Sequence, residues 1–156
     1  GRLLPEATFI GVDPSPQAVE TAQRNASLAG LERFEARRGQ AERIPVDSGV
    51  ADLVVSRASL CAWQDAREGL AEIHRVLKQG GYLALQDVNR DSPKWKRNLF
   101  GLLIVLTSGR EMARQHLRAY ETAFTLKEVV DMVEGLGFEV IEAKGGLDLF
   151  VLAAKR

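Results

Sequence analysis

The strongest constraint on this chain is its rhythm of short apolar runs and amphipathic stretches, joined by connections too brief for anything but a layered α/β fold. Thr8-Phe9-Ile10-Gly11-Val12 reads as a buried strand closing at Asp13. Ser15 is placed to cap the following helix, with Pro16 at its first position, where a missing N–H costs nothing. Val19, Ala22, Ala26 and Ala29 recur at helical spacing until Gly30. Residues 34–38 alternate weakly as a second strand, and residues 52–56 form an apolar third. Leu70, Ile73 and Leu77 share one face of a helix over about 65–77, Gly80-Gly81 stops it, and residues 82–87 make a fourth strand. Strand, helix and strand in repeated alternation dictate parallel pairing.

Residues 89–124 break this rhythm. A basic and aromatic opening (Lys94, Trp95, Lys96, Arg97) leads into an apolar run, Leu99 to Leu106, and then a polar helical stretch from Arg110 to Tyr120. Two helices broken at Ser108-Gly109 are expected. Thr125 and Glu128 then form a capping box, with Phe124 and Val129 as its hydrophobic staple. Val129, Val130 and Val133 make the buried face of the helix, which Gly137 ends. The turn Gly145-Gly146 between residues 138–143 and 147–154 is too short for a crossover, so the last two strands must be antiparallel.

Composition removes several classes. Lys and Arg number 21 and Asp and Glu number 21, against the basic excess of a nucleic-acid-binding domain. Cys61 is the only cysteine, which fits a reducing, cytoplasmic compartment. Two histidines and one cysteine give no metal-ligand spacing.

In an open parallel sheet, ligands bind beyond the carboxyl ends of the strands. Asp13 stands at one such end and can accept from both hydroxyls of a ribose; an Asx turn through Asp13-Pro14-Ser15 is the other reading. Asp87, at the end of the fourth strand, and Tyr120, in the insert, are candidates for contact with substrate. His116 is a candidate general base, set against an exposed helical histidine. Trp63 can stack on a ligand or pack under the next helix. His74 and Cys61 are expected to be structural. The segment 94–106 reads either as a lid helix with solvated lysines or as a peripheral membrane contact.

Four segments in this order resemble the class I S-adenosylmethionine-dependent methyltransferases, in particular the group that includes ubiquinone- and menaquinone-pathway enzymes. Phe9-Ile10-Gly11-Val12-Asp13-Pro14-Ser15 is similar to that family's second strand and its ribose-binding acid. Gly39-Gln40-Ala41-Glu42-Arg43-Ile44-Pro45 is similar to its adenine-edge loop. Ala51-Asp52-Leu53-Val54-Val55-Ser56 is similar to its fourth strand, and the stretch from Glu72 to Gly81 to the helix-to-turn segment after it. The resemblance implies a Rossmann-like, mostly parallel sheet with helices on both faces and a closing antiparallel pair. It implies S-adenosylmethionine as cofactor and a small, apolar methyl acceptor. Asp13 would bind the ribose diol, and Pro14 would lie on the adenine. Gln40 stands where the family usually has Asp, and Ala41 would offer its backbone N–H. Ser56 and Arg57 would lie near the methionine part, with Arg57 turned from the sulfonium.

The family's first strand and glycine-rich loop precede the segment seen here. Residues 1–4 are read as the tail of the first helix, and the whole as one domain, 1–156, truncated at its amino end, with a lid insert at about 89–124. Two strand edges would then face each other unpaired, unless another chain fills the gap or the sheet closes across it. A degenerate, non-catalytic partner subunit and a nicotinamide-dependent oxidoreductase are the rival readings.

Overall fold

The computed structural model describes residues 6–156, the side chains of Gln115 and His116 excepted. The expected helix tail at residues 1–4 lies outside the described residues. Strand β1 (Phe9–Asp13) leads into helix α1 (Pro16–Leu28) and strand β2 (Phe34–Arg38). Strand β3 (Ala51–Arg57), a 3-10 turn (Leu60–Ala62), helix α2 (Ala66–Val76) and strand β4 (Leu77–Val88) follow. The insert is α3 (Lys94–Ser108) and α4 (Arg110–Thr122), and α5 (Leu126–Gly135), β5 (Phe138–Gly145) and β6 (Asp148–Lys155) close the chain.

Local chemistry sets these boundaries. The Ser15 hydroxyl accepts the Ala18 N–H and Pro16 takes the first turn of α1. Asp65 caps α2 by accepting from the N–H groups of Arg67 and Glu68. The Thr125–Glu128 capping box is complete in both directions. At the other end of α2, the Lys155 ammonium donates to the carbonyls of His74 and Leu77, where a cation also suits the helix dipole.

The strands form two sheets. β1 and β2 pair in parallel, and a separate four-stranded sheet runs β3-β4-β6-β5. Within it β3 and β4 are parallel, while β6 lies antiparallel to both β4 and β5. β6 lies inside, between β4 and β5, and its Leu149, Val151 and Ala153, on the face covered by α2 and α5, are fully buried. The core forms where these residues and Leu83 and Leu85 of β4 meet Leu70 and Ile73 of α2 and Val129 and Val133 of α5. Each such side chain contributes roughly 1.5–3 kcal/mol by leaving water. The opposite face of the same sheet is open along β3 and β4. Leu53 pairs with Tyr82 in register, and both are exposed, as is Val55.

No ladder joins β1 to β3 among the described residues. The expected pair of unpaired edges is therefore present, and the sheet has not closed across the gap. Among the described residues the loop after β2 is bonded to α2, Ile44 to Glu72 and Arg75. The insert is a helical pair turning at Gly109, whose φ of 89° suits glycine. Gly101 faces Leu117, where a Cβ would make ordinary contact at 3.5 Å.

Candidate functional site

The carboxyl ends of β1 and β2 open into a concavity of about 560 Å³ lined by Pro14, Arg38, Gly39, Gln40, Arg43, Ile44 and Pro45. Asp13 borders it. One carboxylate oxygen accepts the Ser15 N–H at 2.8 Å, so the Asx turn is formed. That bond uses one of about four lone-pair sites on the carboxylate, and the residue is exposed. The Asp13 carbonyl receives the Gly39 N–H at 3.2 Å, and the Arg38 guanidinium reaches the Pro14 carbonyl at 3.3 Å. Gly39 keeps the turn tight: a Cβ there would lie 2.5 Å from Pro45 Cδ. The sequence candidates Asp13, Pro14, Gln40 and Ala41 therefore come together on two adjacent loops.

Three charged residues given no role in the sequence hold the second loop. Glu42 accepts from the N–H groups of Gln64 and Asp65. Burial pushes its carboxyl upward, but backbone donors, its own and those of Asp65 and Gln64, outweigh this and leave it below its ordinary value. Glu72 accepts the Ile44 N–H at 3.0 Å and takes two bonds from Arg75, at 2.7 and 2.8 Å. Those Arg75 bonds are the main reason its carboxyl sits low. Arg75 also donates to the carbonyls of Ile44 and Val46 and to the Ser48 hydroxyl. The readable signal was Glu72 and Arg75 three apart on a helix, which cannot reveal that the pair also clamps a loop about thirty residues upstream.

At the end of β3, the Ser56 hydroxyl is buried and lies 2.9 Å from that of Ser59. Arg57 is exposed. Ala58 follows with φ of 52°, a left-handed conformation that strains any residue with a Cβ. Asp87 is buried, and its two oxygens accept the N–H groups of Leu60 and Val88. This carboxylate thus fixes the 3-10 turn. Burial first, and then Asp87, push the Cys61 thiol up, which disfavours the thiolate.

Trp63 is half-buried and packs over Gly69, where a Cβ would meet its ring at 2.6 Å. Tyr120 is buried; Arg97 stacks on its ring at 5.1 Å, and burial pushes its hydroxyl up. α4 packs against the 3-10 turn, so the insert borders the ends of β3 and β4. The His116 side chain lies outside the described residues. His74 stands edge-on to Phe138 at 5.0 Å, and burial, with Lys155 nearby, lowers its pKa.

A family model described as a methyltransferase domain matches residues 2–85, more than half of the chain. The chain belongs to this family of methyltransferases. The Mycobacterium leprae phthiotriol/phenolphthiotriol dimycocerosates methyltransferase is 30% identical over 119 residues, 75% of this chain and 43% of that protein. An uncharacterized methyltransferase of Bacillus subtilis, YcgJ, is 35% identical over 78 residues, 50% of this chain and 31% of its own length. The chain spans less than half the length of these methyltransferases. Among solved structures, a SAM-dependent methyltransferase from Aquifex aeolicus superposes with a TM-score of 0.72 at 17% identity, covering 96% of this chain and 69% of that one. The [4+2]-cyclase SpnF superposes at 0.73 and 15% identity, covering 99% and 68%. These matches establish a Rossmann-like class I fold. The cyclase among them illustrates that fold alone does not fix the reaction.

Proposed function

We propose that this chain is the greater part of a catalytic domain that transfers a methyl group from S-adenosylmethionine to a small, apolar acceptor. The observation that carries the reading is the concavity beyond β1 and β2 lined by Pro14 and Gln40, with the exposed Asp13 next to Pro14 in the chain and its carbonyl bonded to the Gly39 N–H. An exposed carboxylate, a flat proline and an amide beside it fit an adenosine. Asp13 would accept from the ribose hydroxyls while keeping its bond to Ser15. Pro14 would lie on the adenine face, the Gln40 amide oxygen would accept from the exocyclic amine, and the Ala41 N–H would donate to the ring.

When bound, the cofactor supplies an already activated methyl group. The protein's task is then alignment of acceptor and donor. Ser56 and Arg57 would flank the methionine part, with Trp63, Asp87 and Tyr120 around the acceptor. Asp87 would act by holding the 3-10 turn. Tyr120, its proton retained by burial, would act as a donor. His116 is kept as a candidate base only where the acceptor must lose a proton.

The gap between β1 and β3 suggests that a further strand completes the sheet, supplied by sequence upstream of Gly1. The open edges also support a second reading, a partner subunit that has lost the cofactor. Calorimetric titration with S-adenosylhomocysteine, on this chain and on the gene product translated from its own start, separates the two. Binding by the longer form supports methyl transfer. A folded longer form that binds nothing supports the partner subunit, and binding of NAD instead would overturn both.

A further inference from the structure

Helix α3 carries an apolar stripe that nothing in the described structure covers. Trp95, Leu99, Leu102 and Leu106 follow the spacing i, i+4, i+7, i+11, which keeps them on one face. All are exposed, from 53% at Leu99 to 73% at Leu106. Leu103 widens the stripe and is half exposed. The opposite face is already used: Gly101 lies on Leu117, and Arg97 stacks on Tyr120. The outward apolar face is therefore not one α3 needs for its contact with α4.

The charges on the helix point to what meets it. Lys94, Lys96 and Arg97 stand in its first turn and α3 holds no acid. Cations at a helix amino end oppose its dipole, and Pro93 offers no side-chain cap, so helix stability does not account for them. Residues 89–124 hold seven Lys and Arg against three Asp and Glu. In a chain that balances overall, the insert is thus positive by four and the remainder negative by four. Lys96 also lies 5.5 Å over the Trp95 ring, which puts a cation and an amphipathic aromatic at one level.

We propose that the outer face of α3 docks on an anionic bilayer surface, with Trp95, Leu99, Leu102, Leu103 and Leu106 in the acyl boundary and Lys94 and Lys96 among the head groups. An apolar stripe with flanking cations and a tryptophan is what such a surface selects. A second copy of the chain is the poorer occupant, because it would press two inserts of like charge together. The contact stands on the geometry of α3. Its use, delivering a membrane-dissolved acceptor to the mouth bordered by α4, rests on the methyl-transfer reading.

Flotation of the full-length protein with vesicles of phosphatidylcholine alone, or with about 30% phosphatidylglycerol, tests it. Binding is expected on the anionic vesicles and to fall with salt. Each cation near such a surface strengthens partition about fivefold, so Lys94→Gln with Lys96→Gln should weaken binding roughly 25-fold. Trp95→Ala with Leu106→Ser should abolish it, with the melting temperature of each variant confirming its fold. Absence of flotation in the unchanged protein would overturn the proposal. So would binding that neither variant alters, or a dimer in solution that Leu106→Ser dissolves. Titration with S-adenosylhomocysteine without vesicles reports on the methyl-transfer reading separately, so either idea can fail alone.

Discussion

Asp13→Asn is the sharpest perturbation of the site, because it keeps the shape while removing the charge and turning one acceptor into a donor. The amide oxygen of asparagine can still accept the Ser15 N–H, now 2.8 Å from the carboxylate, so the turn into α1 should survive. What would be lost is the charge, and with it one of the two oxygens that accept from the ribose hydroxyls, since the amide nitrogen only donates. A hydrogen bond to a charged group is worth about 1.5–3 kcal/mol and a neutral one about 0.5–1.5. The difference is about 1 kcal/mol per bond and, with one acceptor exchanged for a donor, at least about 2 kcal/mol for the pair, or at least roughly 30-fold in affinity. Calorimetric titration of the full-length protein with S-adenosylhomocysteine measures it. A companion titration with the analogue lacking the ribose 2′-hydroxyl should show a smaller gap between the unchanged protein and the variant, since one of the two bonds is then absent from both. A variant that melts like the unchanged protein and binds within about twofold of it would refute the ribose assignment, and leave Asp13 with its turn alone.

Other outcomes follow from the surrounding structure. Arg75→Met removes the bonds to Glu72, Ile44, Val46 and Ser48; hydrogen exchange should speed at residues 44–48 and stability should fall by about 1.5–3 kcal/mol. Gly69→Ala drives a methyl group into the Trp63 ring and should cost about 1–3 kcal/mol in denaturant melts, part of it recovered by adding Trp63→Leu. Ala58→Gly relieves the left-handed strain at φ 52° and should raise stability by about 0.5–1 kcal/mol, after the entropy cost of glycine. His74 has its folded pKa lowered, so the unfolded state takes up a proton first as pH falls below about 6.5. Stability should decline through that window and level off below the folded pKa, and His74→Gln should flatten the slope.

Much of the fold was legible because its signals are local. The Thr125 box, the Ser15 cap, the break at Gly109 and the closing antiparallel pair each depend on a few neighbouring residues. The inner place of β6 was less so, since burial on both sides depends on which strand it meets, not on its own pattern. Asp13 and Gln40 could be placed together from their positions at strand ends, and the structure sets them on adjacent loops. The clamp from Arg75 could not, because its partners at Ile44, Val46 and Ser48 are brought near only by the packing of α2. The engagement of Asp87 with the Leu60 N–H was hidden for the same reason. From sequence, a carboxylate that steadies a turn looks the same as one that awaits a substrate.

The distribution of the core along the chain bears on how the protein emerges from the ribosome. Ahead of Leu60, Ala26 is the one buried apolar residue of the described core; the rest is drawn from Leu60 onward. At about 5–20 residues per second, the β1–α1–β2 unit leaves the exit tunnel seconds before α2 emerges to receive it. During that interval it has two paired strands, a helix and almost no buried apolar residue, and the loops at Asp13 and Gln40 have no clamp. The part of the molecule that would recognise the cofactor is thus made before the helix that holds its loops in shape.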